Sequence, residues 1–380
     1  MRKLVIHAGF HKTGTTALQH SLSASGSALH KQGWVYPVLS HGQSQSDSAL
    51  ALAKRGWGWK GGGSKPIPMK TWNRLVTRIN RDSGNSVISS EFFSELQLTH
   101  IEKIKTAFPK HEIQIVFTIR ALDAIFPSNF QQALKGGSDL GYEDWLERIL
   151  NDYQNGKRSS FWRRNQHALV IERWVDVFGK EQVTLITSDV QNQRALYERF
   201  ETLLGLKPDS LVRESGTGLN RGLLLDEISL ILEVNRKYPK NGRWNEYQTF
   251  IKHGVIDKFT STPAETVDET NRLRTPAKFA KQINEIAKLE LARVRDLDVD
   301  VLGSFGELEP GSLLVGQNSE VKNIDLAKVA AVLARQNYDA VTTIAPRSLV
   351  KNWLPYLEHR IPASSFRFVT RTLGKLTGRS

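Results

Sequence analysis

Residues 6–16, IHAGFHKTGTT, constrain the fold of this chain more than any other stretch. An apolar, strand-like run over residues 3–8 leads into a turn marked by Gly9 and Gly14, and residues 15–22 follow with helical character. Strand, glycine turn and helix N-terminus together make an anion cradle, because backbone N–H groups and the helix dipole face one point. The phosphate-loop pattern G-x-x-x-x-G-K-[ST] is met by Gly9, Gly14 and Thr16, but its lysine slot holds Thr15. The lysine stands three residues earlier, as Lys12. A kinase or ATPase of this type needs its lysine beside the Ser/Thr to reach the β- and γ-phosphates next to Mg²⁺. The loop therefore reads as a site for another phosphate ester without a metal. Lys12 supplies a mobile cation, and Thr13, Thr15 and Thr16 supply hydroxyl donors.

Further strands are expected at residues 86–90, 113–119 and 183–186, with helices between them. The segment IQIVFTI (113–119) is apolar enough to lie centrally in a parallel sheet. Alternating strands and helices predict a three-layer, doubly wound α/β fold with a central parallel sheet flanked by helices. Ligands in such folds bind beyond the carboxyl ends of the strands. From residue 223 the pattern turns helical, through 235 and again over 276–296. Pro310-Gly311-Ser312 reads as a boundary between a main domain, 1–310, and a helical C-terminal extension, 311–380, with a helix expected over 324–339.

Composition narrows the partners. The 380 residues carry a formal net charge of +13 and no cysteine. Disulfides, thiol nucleophiles and cysteine metal sites are therefore excluded, and the partners expected are anionic. No apolar run reaches the roughly eighteen residues of a membrane span. Leu4-Val5-Ile6 is too short for a signal-peptide core, so the expectation is a cytoplasmic protein. No nucleic-acid-binding motif accompanies the charge, so no nucleic-acid partner is expected.

A second spaced element joins the loop. Thr118-Ile119-Arg120 ends the third expected strand, and Ser128 follows Arg120 by eight residues. An arginine at a strand end can bridge a phosphate bidentately, and a nearby hydroxyl orients it. The plainer reading has Arg120 paired with Asp123 and Ser128 beginning a helix after Pro127. HKTGTT after a first strand, with this Arg–Ser pair, resembles the sulfotransferase family that uses 3′-phosphoadenosine 5′-phosphosulfate (PAPS). The match covers roughly residues 1–240, and the helix over 129–135 resembles the bacterial, carbohydrate-type branch. The resemblance implies a P-loop-like fold, PAPS as donor, and the 5′-phosphosulfate held by Lys12, Thr13, Gly14, Thr15 and Thr16. It also implies that Arg120 and Ser128 hold the 3′-phosphate. The later G-x-x-G-x-x-K segment of the aryl-type enzymes is missing, and the loop over 216–221, ending in Arg221, is the nearest substitute.

Transfer to a hydroxyl needs a base as well as positive charge on the leaving phosphate. Lys12 is assigned the second task. Glu91, at the end of the second expected strand, is the leading base, since the resemblance implies a glutamate in carbohydrate-type members. His11 and His41 are its rivals, and Glu91 also suits a helix N-terminus. The implied acceptor is a saccharide or glycolipid hydroxyl. Trp57 and Trp59, before the glycine loop 61–63, suit either a wall against a sugar ring or anchors to the sheet. Phe161-Trp162, flanked by Lys157-Arg158 and Arg163-Arg164, suits an anionic acceptor. Residues 321–380 hold ten Lys/Arg against three Asp/Glu. Phe366, Val369, Leu373 and Leu376 share a helical face opposite Arg367, Arg371 and Lys375, a pattern that suits peripheral membrane contact or a packed C-terminal helix. A kinase with an aberrant loop and a non-catalytic module for acidic polymers are the competing functions.

Overall fold

The computed structural model describes residues 1–39, 44–58, 65–188, 192–213, 221–238, 244–260, 269–319 and 321. Six strands form one parallel sheet: β1 (Arg2–His7), β2 (Trp34–Val35), β3 (Asn85–Ser89), β4 (His111–Ile119), β5 (Val183–Thr187) and β6 (Asp300–Leu302). Their order is β2-β3-β1-β4-β5-β6. The chain first builds to one side of β1 and then crosses to β4 on the other, so the strand order reverses between β1 and β4. Loops after these two strands diverge and leave the crevice in which open α/β sheets bind ligands.

The sheet is apolar on both faces because helices cover both. Leu4 and Ile6 of β1, Ile88 of β3, Ile115 and Phe117 of β4, and Leu185 of β5 face one layer. That layer comprises the helices Lys70–Arg81, Leu98–Ala107, His167–Phe178 and Ala277–Arg295. Trp174 is fully buried there, edge-on to Phe117 at 6.1 Å, and serves the core. The alternate residues Val5, Val87, Val116 and Ile186 face the helices Thr15–Ala24 and Gln193–Leu204 through Leu18, Leu22, Leu196 and Phe200. The expected α/β fold is thus observed, with each expected strand within two residues of its predicted ends. The edge strands β2 and β6 are two and three residues long and carry no periodic signal.

On that second face the alternation continues, but its chemistry changes. Val5 is followed by His7, Val87 by Ser89, Val116 by Thr118, and Ile186 by Ser188, all buried. The strands therefore end in a polar shelf at their carboxyl edge, directly under the first loop. A second apolar cluster, centred on Phe126, Phe130, Trp145 and Trp162, joins the helices Leu122–Lys135, Tyr142–Gln154, Ser160–Asn165 and Leu225–Lys237. Phe161 and Trp162 belong to this core, and Trp162 Nε1 donates to the Ile149 carbonyl at 2.6 Å. Both are packing residues, and their side chains are almost wholly buried.

After Pro310 the chain stays bonded to the α/β unit. Gly311 N, Ser312 N and Ser312 Oγ donate to Asp123 Oδ2 at 2.8, 2.8 and 3.1 Å, and Thr275 N donates to Leu314 O at 2.7 Å. The helix expected over 324–339 and the basic tail lie outside the described residues. No helix among the described residues is long and apolar enough to cross a membrane.

Gly9 has φ +75°, and a Cβ built on it would lie 2.6 Å from Glu91 Cα. Gly33 has φ +79° but nothing within 4 Å of such a Cβ. A side chain in the left-handed region costs about 1–2 kcal/mol by itself. Both Gly9→Ala and Gly33→Ala should lose that much in urea denaturation, and Gly9→Ala should lose clearly more. Equal losses would show that the loop does not press on Glu91.

Candidate functional site

The first loop is pinned to the shelf by a chain of hydrogen bonds whose direction follows from donor counting. Thr13 Oγ1 donates its only proton to Phe10 O at 2.7 Å, so its 2.6 Å contact with Thr118 Oγ1 must be donated by Thr118. Thr118 Oγ1 then accepts from His7 Nε2 at 3.0 Å, and His7 Nδ1 accepts from Ser89 Oγ at 2.8 Å. This order needs a neutral, Nε2-protonated His7, and burial pushes the His7 pKa down to about 3. Backbone bonds reinforce the chain: Ala8 N to Val116 O, Phe10 N to Thr118 O, and Thr118 N to Gly9 O, each 2.8 Å.

Gly14 precedes the helix Thr15–Ala24 with φ +89°, and no side chain caps that helix. A Cβ on Gly14 would lie 2.7 Å from Leu196 Cδ2. The helix has no acid in its first turn and no capping side chain, the state in which first-turn N–H groups can take an anion as partner. The hydroxyls of Thr13 and Thr15 do not add to this cradle. Both turn inward to Phe10 O, Thr15 at 2.9 Å, which revises the expectation that they face a ligand. Thr16 is exposed.

Lys12 adopts φ +67°, a left-handed conformation that a side chain enters only at a cost. Its Nζ donates to Gln132 Oε1 at 2.7 Å. Burial and the nearby Lys135 push its pKa down to about 8, with Lys252 adding to the effect and Glu91 opposing it. Ser128, Gln132 and Lys135 stand at i, i+4 and i+7 on the helix Leu122–Lys135 and so share one face. Lys252 comes from a π-helical segment, Gln248–Ile256. Such segments are rare in proteins and concentrate at functional sites.

Glu91 opens a short 3₁₀ helix, Glu91–Glu95, at the carboxyl end of β3. Its Oε2 accepts from Gln19 Nε2 at 3.2 Å, and the same Nε2 lies 3.3 Å from Ser89 O. Burial and the Glu91 charge together raise the pKa of Tyr36. Lys12, Glu91, Tyr36, Gln19, Gln132, Lys135 and Lys252 thus gather round the loop. Arg120 follows the last residue of β4, on the same carboxyl edge of the sheet. Asp123 is committed to Gly311 and Ser312. His41 and Trp59 lie outside the described residues, as does 214–220. Arg221, the described end of that loop, pairs bidentately with Glu227 at 2.6 and 2.9 Å.

His11 and Lys12 have different partners. His11 Nε2 meets Glu95 Oε1 at 3.1 Å, and the same carboxylate accepts from Arg164 Nε at 2.9 Å and Arg55 Nη1 at 2.8 Å. Burial pushes the Glu95 carboxyl up, but the His11 hydrogen bond, Arg164 and Arg55 hold it well below the usual range. Trp57 packs edge-on to Phe92 at 5.1 Å, and the Arg164 guanidinium lies over its ring at 5.5 Å. Trp57 is therefore anchored to this cluster. Gln132 and Lys135 have a sequence signal, the i, i+4, i+7 spacing from Ser128. Lys252 and Tyr36 have none, since only folding brings them to the loop.

Among the described residues, no group of three His, Cys, Asp or Glu is placed to hold a metal ion. No family model matches the chain, and no curated relative matches its sequence. Among solved structures, a sulfotransferase from Alicyclobacillus acidocaldarius is similar over 78% of this chain and 96% of that one, at 14% identity and a TM-score of 0.46.

Two buried histidines set a pH dependence. His7 and His167 both have pKa values pushed by burial from 6.5 to about 3. Between these values the unfolded chain binds more protons than the folded one, so stability must fall as pH falls through this window. Each histidine contributes up to about 1.4 kcal/mol per pH unit to that slope. His167→Phe, which keeps a ring against Phe10, should flatten the urea-denaturation stability between pH 6 and 4 by about that amount. An unchanged slope would contradict a buried, neutral His167.

Proposed function

We propose that this protein is a sulfotransferase that moves a sulfuryl group from PAPS to a hydroxyl acceptor of the saccharide or glycolipid class. The observation that carries this reading is the loop itself. An uncapped helix N-terminus, a lysine displaced to Lys12 in a left-handed conformation, and a carboxylate at Glu91 meet at the switch point between β1 and β4.

The residues present suit such a donor. A Cβ at Gly14 would meet Leu196 Cδ2 at 2.7 Å, so the glycine lets the helix Thr15–Ala24 start against the helix Gln193–Leu204 with no side chain capping its first-turn amides. PAPS, when bound, supplies an activated sulfuryl group on a phosphate that can leave. Lys12 and the amides of the helix Thr15–Ala24 then carry the counter-charge for that phosphate. Arg120 and Ser128 hold the 3′-phosphate, with Lys135 adding positive charge on the Ser128 face. Glu91 takes the proton of the acceptor hydroxyl. Gln19 holds one of its oxygens and leaves the other available. His11 is a positioning residue in this scheme, because Glu95 fixes its ring.

The same residues order the competing functions. A kinase would need a lysine in the Thr15 slot, whereas the cation here reaches from Lys12. A binding module without turnover has no use for Glu91 beside Lys12. Contact of the basic tail with a membrane surface, which would suit a glycolipid acceptor, is part of the proposal and rests on sequence alone.

The reading is tested by ligand-induced stabilisation, since a ligand that binds only the folded state raises Tm. PAP should raise Tm more than ATP with Mg²⁺ does; the reverse order would favour the kinase. Lys12→Ala should lower turnover by about 10²–10³, the usual effect of deleting one preorganised donor. Glu91→Gln should slow transfer with PAP affinity unchanged in calorimetry, and a full-rate Glu91→Gln enzyme would remove Glu91 as base. Because the Lys12 pKa is about 8 in the free protein, PAP binding at pH 8.5 should take up protons. Calorimetry in buffers of different ionisation enthalpy would detect that uptake, and its absence would separate Lys12 from the phosphate.

A further inference from the structure

A cavity of about 250 Å³ opens beside the helices Ser160–Asn165 and His167–Phe178. Arg158, Arg163 and Arg173 line it together with Gln97 and Gln166, over a floor that includes Trp162 and Val170. No carboxylate lines it. Arg158 is exposed at its mouth, and Arg163 and Arg173 are half-buried. Nε of Arg163 and Nε of Arg173 are both buried without a hydrogen-bond partner, and Arg173 donates through Nη2 to Ser94 O at 3.2 Å. Both arginines line the cavity, and each keeps an unpaired Nε–H, where buried N–H groups of native proteins are nearly always satisfied.

The charge balance points the same way. Glu95 is the carboxylate whose field reaches Arg163, and its oxygens already accept from His11, Arg164 and Arg55. Burial lowers the pKa of Arg173 and the Arg158 charge adds to it; burial likewise lowers that of Arg163, with Arg55 and Arg164 contributing. Guanidinium groups crowded in this way gain most from a group that brings negative charge and several acceptors at once. A tetrahedral oxyanion does both, and the planar fork of arginine matches its edge. The volume is several times the roughly 30 Å³ of a water molecule and below the roughly 300–1,000 Å³ of a drug-sized pocket. It suits one oxyanion and the group that carries it.

We propose that this cavity is a second anion-binding site, built for a sulfate- or phosphate-class group and separate from the loop at Lys12. Arg163 and Arg173 grip the group from within, and Arg158 closes on it from the surface. The proposal stands without the sulfotransferase reading, because it uses none of the loop residues.

The test is a titration of full-length protein carrying ¹⁵Nε-labelled arginine, with sodium sulfate against sodium chloride at matched ionic strength. The Nε–H signals of Arg163 and Arg173, assigned with Arg163→Gln and Arg173→Gln, should move together and saturate with sulfate alone. The same saturation should appear in Lys12→Ala protein, whose first loop is impaired, and should weaken at least tenfold in Arg163→Gln. An O-sulfated monosaccharide is the second probe. Saturation at lower concentration than inorganic sulfate identifies a substrate-borne group, and equal concentrations identify the free ion. Signals that stay still, or that follow chloride equally, would mean that the cavity holds only water and would overturn the proposal. So would their loss in Lys12→Ala. The wild-type titration decides even where a variant fails to fold.

Discussion

Everything at the carboxyl edge of this sheet depends on four buried polar side chains that answer one another: Ser89, His7, Thr118 and Thr13. Each offers one proton, and the last goes to the carbonyl of Phe10 within the loop. The direction of the chain is forced because a carbonyl can only accept. Strands β1, β3 and β4 are thereby tied to the loop they carry, and the loop conformation is set before any ligand arrives. Preorganised donors of this kind contribute to binding and catalysis because they need no rearrangement when the charge appears.

A second economy concerns charge. One carboxylate, Glu95, is saturated by His11, Arg55 and Arg164, which fixes the outer wall of the loop. On the inner side Lys12, Lys135 and Lys252 crowd together with Glu91 as the nearby acid. Burial, with the repulsion of Lys135 and Lys252, lowers the Lys12 pKa to about 8. The apolar cluster around Phe126, Phe130 and Trp145 holds the helix that brings Gln132 and Lys135 to this point. A core with no chemistry of its own thus sets the geometry of the charges.

The parts legible in the sequence share one property: they depend on neighbours in the chain. The strand over 3–8, the turn at Gly9 and Gly14 and the helix from Thr15 follow from local pattern, and each is found within a residue or two. The strands around 86–90, 113–119 and 183–186 are equally legible, because a buried strand leaves an apolar run. Edge strands β2 and β6 leave none. The burial of Phe161 and Trp162 is hidden for a related reason. Basic neighbours suggest a surface, but on a short helix the aromatic and arginine side chains point in different directions, and the aromatics fill the core.

The sequence by itself determined that a strand, a glycine turn and a helix N-terminus follow one another at the start of a parallel α/β sheet, with Lys12 in the turn. The order of residues suffices for that, since the glycines, the strand and the helix are contiguous. Only the tertiary structure decided what surrounds the turn. It turned the hydroxyls of Thr13 and Thr15 inward, gave His11 to Glu95, and brought Lys252 to Lys12 from 240 residues away. It also assembled Gln97, Arg158, Arg163 and Arg173 around one cavity. These contacts join segments with no shared periodicity, and the packing of helices on the sheet is the physical event that selects them.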